Sequence, residues 1–147
     1  MVGDVQAGKG AYLDELKLQA ERLGVADSIT FTGHRQDIRD IMAMSHMVFS
    51  LSQQPEAFGR VTMEALSMGV PVIAYAHGGV AEQLTALLPQ GAVPVGDLDA
   101  ALKLSLAWLQ QPPHVPENQV FRLQTMLENT LAIYHELTSA PQQLAPA

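Results

Sequence analysis

The stretch that decides the fold is PEAFGRVTMEALSMGVPVI, residues 55–73, which combines a loop, a helix and a strand. Before it, residues 47–51 form a short apolar run rich in branched and aromatic residues, which predicts a strand. Residues 59–68 suit a helix that ends at Gly69, and residues 70–74 predict a second buried strand. The loop therefore follows the carboxyl end of one strand and leads into a helix N-terminus, where parallel α/β sheets bind ligands.

Two glutamates mark this loop and helix. Glu64 is the only charged residue in the range 61–81 if histidine is neutral, and a bare buried carboxylate would be costly. Glu56 lies in the loop over the helix N-terminus, where the first N–H groups lack intrahelical acceptors and attract anions. Carboxylates that flank free amides suit a molecule with hydroxyl groups at both ends and phosphate in the middle, such as a nucleotide-sugar. By spacing alone, the simpler interpretation is a solvated loop glutamate and a surface helix glutamate.

The motifs carry a family resemblance. Glu56 and Glu64 are separated by seven residues, Gly-x-Pro-Val follows them, and HGGVAE, residues 77–82, supplies Gly-Gly-x-x-Glu. Together with the Phe-Gly pair between the glutamates, this pattern resembles the signature of the family 4 retaining glycosyltransferases of the GT-B fold. The resemblance extends over residues 2–97, most of the chain.

Four strand–helix steps in series predict a Rossmann-like three-layer α/β domain with a parallel sheet, because crossovers of helical length force parallel pairing. The resemblance makes this domain one half of a GT-B fold. Besides the elements above, we predict strands at 28–31 and 92–95 and helices at 11–23, 37–44, 80–87, 98–109 and 117–137. The inward stripe predicted for the first helix is Leu13, Leu16, Ala20 and Leu23. We expect the domain to span 1–137 and residues 138–147 to form a disordered tail.

The beginning of the chain resembles the inside of a longer protein. Val2-Gly3-Asp4 matches the place where the second strand of the family's C-terminal domain ends. The resemblance implies that the first strand, the N-terminal acceptor domain, and the Arg and Lys that hold the diphosphate precede Met1. We therefore expect no sugar transfer by residues 1–147 alone. The alternative is a small protein that begins at this point.

The resemblance also implies roles for individual residues. Glu56 is the predicted catalytic residue and bonds hydroxyl groups of the transferred sugar, and Glu64 binds the ribose hydroxyls. Arg35 and Ile38 are the candidates for nucleobase contacts, although a surface arginine and a core isoleucine would explain them equally. The phosphate contacts implied by the resemblance come from the amides of Phe58, Gly59, Arg60 and Val61.

Composition excludes several partners. The net charge of −7 argues against nucleic acid or an anionic membrane as a partner of this domain. The chain lacks cysteine, an apolar run of membrane-spanning length and a signal peptide, so we expect a cytoplasmic protein. For the full enzyme, a position peripheral to the inner face of the membrane is our hypothesis. Its five histidines show no metal-ligand spacing, so we expect neither a metal nor a cofactor, only a UDP- or GDP-linked donor.

We interpret the chain as the donor-binding half of a retaining hexosyltransferase that acts on an acceptor such as a lipid-linked or cell-surface glycan. A phosphorylase or a nucleotide-sugar epimerase of the GT-B fold would share the architecture. A non-catalytic interaction domain would keep the helices without needing Glu64. A dehydrogenase would need a Gly-x-Gly-x-x-Gly turn after its first strand, which the chain lacks.

Overall fold

The computed structural model describes residues 1–3 and 10–139, which fall into two compact units, residues 1–41 and residues 42 onward. The first unit contains helix α1, Gly10–Arg22, and a short 3-10 helix, Ala26–Ser28. Gly24 adopts φ 67°, so α1 ends in the left-handed turn that glycine favours. The predicted helix is confirmed. Its stripe is correct except at Leu23, which is 67% exposed because the helix has already ended.

The strand predicted at 28–31 is wrong. Ser28 closes the 3-10 helix, and the extended backbone lies slightly later in the chain. There the amine of Met1 donates to the Thr30 carbonyl at 2.6 Å, and the N–H of Thr32 donates to the Met1 carbonyl at 3.1 Å. A third bond, from the N–H of Gly3 to the carbonyl of Gly33 at 3.1 Å, joins the same two segments, and residues 28–31 form no regular strand.

Helix α2, Ile38–Ala43, follows, and within the described residues the second unit holds one parallel sheet. Its strands are β1 (Val48–Ser50), β2 (Val72–Tyr75) and β3 (Ala92–Val93), in that order. The connections contain α3, Arg60–Ser67, and α4, Gly78–Leu87, and α5 (Leu98–Gln110) follows β3. The predicted α/β fold with a parallel sheet is confirmed.

Strand β2 is the centre of this unit. Val72, Ile73 and Ala74 are 0% exposed, and all three helices α3, α4 and α5 contact β2. A strand covered on both faces needs a continuous apolar run rather than alternation, and Val-Ile-Ala-Tyr provides one. The N–H of Val48 donates to the carbonyl of Pro71 at 2.8 Å, so the proline's missing N–H does not interrupt the pairing with β1.

Helix α3 ends as predicted. Gly69 adopts φ 74°, its N–H donates to the Leu66 carbonyl at 3.0 Å, and the N–H of Val70 donates to the Ala65 carbonyl at 2.9 Å. These bonds form a Schellman motif, which satisfies the last carbonyls of the helix and turns the chain directly into β2.

The final helix begins later than predicted. Helix α6 spans Leu123–Ser139, whereas the sequence suggested 117–137. Asn118 accepts a hydrogen bond from the N–H of Phe121 at 2.9 Å, and this local turn replaces the first helical turns. Of the predicted tail, Thr138 and Ser139 belong to α6, and residues 140–147 lie outside the described residues. Helix α5 begins at residue 98 as predicted, and Asp97 caps it by accepting a hydrogen bond from the N–H of Ala100 at 2.8 Å. Strand β3 is two residues long instead of four.

The core of the second unit depends on a close backbone approach at Gly91. A Cβ placed there would lie 2.2 Å from the Val72 carbonyl oxygen and 3.3 Å from the ring of Trp108. We predict that Gly91→Ala lowers the free energy of unfolding by about 1–3 kcal/mol, as overpacked cores do. Gly10→Ala is the control, because none of the residues that the structure describes lies within 4 Å of that Cβ position. Urea unfolding measures both, and equal stabilities would contradict the close approach.

Candidate functional site

The loop before α3 lies directly against the N-terminus of α4. The N–H of Gly79 donates to the carbonyl of Glu56 at 2.9 Å. A Cβ on Gly79 would lie 2.4 Å from the carbonyl oxygen of Ala57, and one on Gly78 would lie 2.5 Å from that of Glu56. Gly78 also adopts φ 57°. The glycine pair therefore lets the helix and the loop touch through their backbones alone.

Helix α3 presents free amides at its start. Its capping residue, Gly59, adopts φ 77° and ψ 63°, and a Cβ there would meet Val80 at 2.4 Å. No atom of the described residues accepts a hydrogen bond from the N–H groups of Gly59, Arg60 or Val61. Free amides and the positive end of the helix dipole together form an environment that suits an anion.

Both predicted carboxylates are exposed. Glu56 lies in the loop, and the Glu64 side chain on the outer face of α3 is 47% exposed. Arg60, one turn earlier and 85% exposed, places its Nε 3.8 Å from a Glu64 carboxylate oxygen, which makes a loose ion pair. The apolar character of α3 belongs to its opposite, buried face, so the Glu64 carboxylate reaches water without a special partner.

Phe58 is held from two sides by residues that the sequence analysis did not single out. Its ring packs edge-on against Phe121, with centroids 6.4 Å apart, and its carbonyl accepts a hydrogen bond from the buried amide of Gln83. Asn118 fixes Phe121 and also donates to Ser67 at 3.2 Å on α3. A polar residue within the apolar pattern of α4 was the available signal for Gln83, of the kind that drew attention to Glu64.

His77 joins two loops. One ring nitrogen lies 2.9 Å from the carbonyl oxygen of Ser52, in the loop after β1, and the ring packs edge-on against Tyr75 at 6.4 Å. His77 directly precedes the glycine pair of α4, so this contact helps to fix the loop and the helix N-terminus together.

Arg35 and Ile38 belong to the first unit. Arg35 donates two hydrogen bonds to Asp37, at 2.7 Å and 2.5 Å, in a fork-like pair. The hydrogen bond from Arg35 lowers the pKa of the Asp37 carboxyl group, and the same bond raises the pKa of Arg35. Asp37 directly precedes α2, with its carboxylate on Arg35, and Ile38 is half-buried as the first residue of that helix. Their nucleobase contacts stay a prediction.

Two further properties concern the described part of the chain. No group of three His, Asp or Glu side chains there is placed to hold a metal ion. No helix among these residues is long and apolar enough to cross a membrane.

We predict that Gly79→Ala displaces the loop at 56–58, because the added Cβ would overlap the Ala57 carbonyl oxygen. The amide resonances of Ala57, Phe58 and Gly59 should shift, and the amide of residue 79 should exchange faster with solvent. Gly91→Ala is the matched control, since it also strikes a carbonyl oxygen, that of Val72. A loop that shifts no more in Gly79→Ala than in Gly91→Ala would refute the contact.

Comparison of the chain with known proteins identifies the family to which it is similar. The sequence profile of the family described as "Glycosyl transferases group 1" matches residues 4–122. A GDP-mannose-dependent alpha-(1-6)-phosphatidylinositol monomannoside mannosyltransferase of Mycobacterium tuberculosis is 37% identical over 86 residues, which are 53% of this chain and 22% of that protein. The lipopolysaccharide core biosynthesis mannosyltransferase LpsB of Rhizobium meliloti is 29% identical over 120 residues, 77% of this chain and 34% of that protein.

Among solved structures, Anabaena HepE in complex with UDP and glucose superposes with a TM-score of 0.70 at 33% identity, covering 75% of this chain and 30% of that one. The structural neighbours are glycosyltransferases of the GT-B fold, in agreement with the fold predicted from the sequence. The chain thus spans between a fifth and about a third of the length of these relatives.

Proposed function

Because this chain belongs to the group 1 glycosyl transferases, we propose that it forms the donor-binding half of a retaining glycosyltransferase. The observation that carries the proposal is the set of free amides at the start of α3, beside a loop that backbone contacts hold in place. A diphosphate gains negative charge as the sugar leaves, and preorganised amides stabilise that charge without reorganising.

The remaining roles follow the layout of a nucleotide-sugar. Glu56, in the loop over these amides, bonds hydroxyl groups of the transferred sugar. Glu64, one to two turns along α3, binds the ribose hydroxyls, and its exposure leaves both carboxylate oxygens available to accept them. The helix dipole, the amides and Arg60 offset the phosphate charge, so this scheme needs no metal ion.

The donor is a UDP- or GDP-linked hexose. The Anabaena neighbour binds UDP and glucose, and the mycobacterial relative is named as GDP-mannose-dependent, so relatives of similar identity use either base. The names of the two mannosyltransferases point to acceptors that are lipids or cell-surface glycans. We place the whole enzyme in the cytoplasm, at the inner face of the membrane where such acceptors are built.

The exposed apolar surface of helix α6 is consistent with a contact to the second half of the enzyme. None of its residues is buried, and large apolar side chains such as Leu123, Leu131, Tyr134 and Leu137 are each more than half exposed. An apolar helix surface of this extent indicates a protein partner. The acceptor-binding domain implied by the family resemblance is the partner that we propose for it.

We expect nucleotide binding to depend on Glu64. With amides and, among the residues that the structure describes, one exposed arginine near the phosphates, UDP or GDP should bind at about 1 mM. Glu64→Gln keeps the shape but removes the charge that strengthens hydrogen bonds from ribose hydroxyls, so it should weaken binding by about tenfold. Titration followed by NMR chemical shifts measures affinities in this range.

Glu136→Gln, at an exposed helical glutamate of α6, is the control for the loss of one negative charge. A nucleoside diphosphate without ribose hydroxyls should bind as weakly to the wild-type chain as UDP binds to Glu64→Gln. Equal UDP affinities of the wild-type chain and Glu64→Gln would remove Glu64 as the ribose ligand.

We also expect residues 1–147 to bind the donor without transferring sugar, because the reaction needs acceptor-binding surfaces that this donor half does not supply. Incubation with UDP- and GDP-sugars and a panel of lipid and glycan acceptors tests this, with release of free nucleotide as the readout. Turnover by the purified chain would contradict the division into two halves.

A further inference from the structure

The peptide unit between Phe58 and Gly59 is held from inside the domain by one buried side chain. Gln83 of α4 is 0% exposed, and its Nε2 donates a hydrogen bond to the Phe58 carbonyl oxygen. Its Oε1 faces the next residue, 3.6 Å from where a Cβ on Gly59 would be. Both ends of the Gln83 amide therefore lie against the same short piece of backbone.

A peptide unit is planar, so a hydrogen bond that fixes its carbonyl also fixes the direction of its N–H. The carbonyl of Phe58 and the N–H of Gly59 share one such plane, and this N–H is one of the free amides before α3. A carbonyl that accepts a hydrogen bond also polarises the N–H at the other end of the peptide unit. Gln83 thereby acts on an amide to which it is not bonded.

Packing alone does not account for this glutamine. Its buried neighbours on α4 are the apolar residues Val80, Leu84 and Leu87. Gln83 Oε1 is buried and has no hydrogen-bond partner among the described residues, which lowers stability relative to an apolar side chain of the same size. The hydrogen bond to the Phe58 carbonyl is the interaction that an apolar side chain at position 83 could not make.

We propose that Gln83 is a positioning residue of the donor site, which orients the N–H of Gly59 toward the diphosphate of the nucleotide-sugar. The inference rests on the proposed function. Because Gln83 is fully buried, it acts through the Phe58–Gly59 peptide and does not touch the ligand.

The test is Gln83→Met in the full chain, with Leu84→Met as a control at the adjacent, equally buried position of α4. Methionine keeps the volume of glutamine but cannot donate to Phe58. The carbonyl carbon of Phe58 and the amide of Gly59 should shift in the NMR spectrum, and UDP or GDP, whichever the wild-type chain binds more tightly, should bind about tenfold more weakly. Leu84→Met should change neither. The loss of affinity should persist at a temperature where Gln83→Met is fully folded, which a merely structural role of Gln83 would not produce.

Gln83→Asn provides a second variant if methionine prevents folding, because it keeps the amide but shortens its reach. Nucleotide affinity equal to that of the wild-type chain in a folded variant overturns the inference, whether or not the Phe58 and Gly59 resonances move. Failure of both variants to fold makes Gln83 a structural residue and overturns it as well. A wild-type chain that binds neither nucleotide refutes the proposed donor site itself, an outcome distinct from the other two.

Discussion

The contact between the N-terminus of α4 and the loop before α3 fixes where the free amides of α3 lie. It is made by backbone atoms, through the hydrogen bond from Gly79 to Glu56 and through positions at Gly78 and Gly79 that no side chain could occupy. A contact of this kind has little freedom to adjust, since neither partner can change rotamer. The loop and the start of α4 are therefore held together without a side chain.

Electrostatics in this site comes mainly from the backbone. The chain carries a net charge of −7, and Arg60, in the first turn of α3, is largely exposed and loosely paired with Glu64. Exposed ion pairs of this type contribute little to stability, so Arg60 is free to turn toward a phosphate. The helix terminus, by contrast, is oriented by the fold. The direction of its dipole therefore does not depend on the rotamer of any side chain.

A layer of polar side chains supports the loop from behind. Gln83 holds the carbonyl of Phe58, while Asn118 ties Phe121 to α3 and so brings an aromatic ring against that of Phe58. Thr62, buried on α3, has a hydroxyl group without a hydrogen-bond partner among the described residues. Buried polar groups without hydrogen-bond partners lower the stability of the fold. Such groups are typical of functional sites, where the position of the backbone is under stronger constraint than the packing of the core.

The sequence by itself determined the elements from β1 to α5 and the family, because these depend on local properties: the period of apolar residues, a glycine at the end of α3 and an aspartate at the cap of α5. It placed Glu56 and Glu64 in a loop and on a helix, but the outer-facing position of Glu64 became visible only once the buried face of α3 was known. Local pattern failed at 28–31 and at the start of α6, where a 3-10 turn and the Asn118 turn compete successfully with regular structure. Only the tertiary structure revealed what Gln83 and Asn118 bind, because their partners lie 25 and 51 positions away in the chain. Contacts over such separations depend on how helices pack on the sheet, which no local pattern encodes.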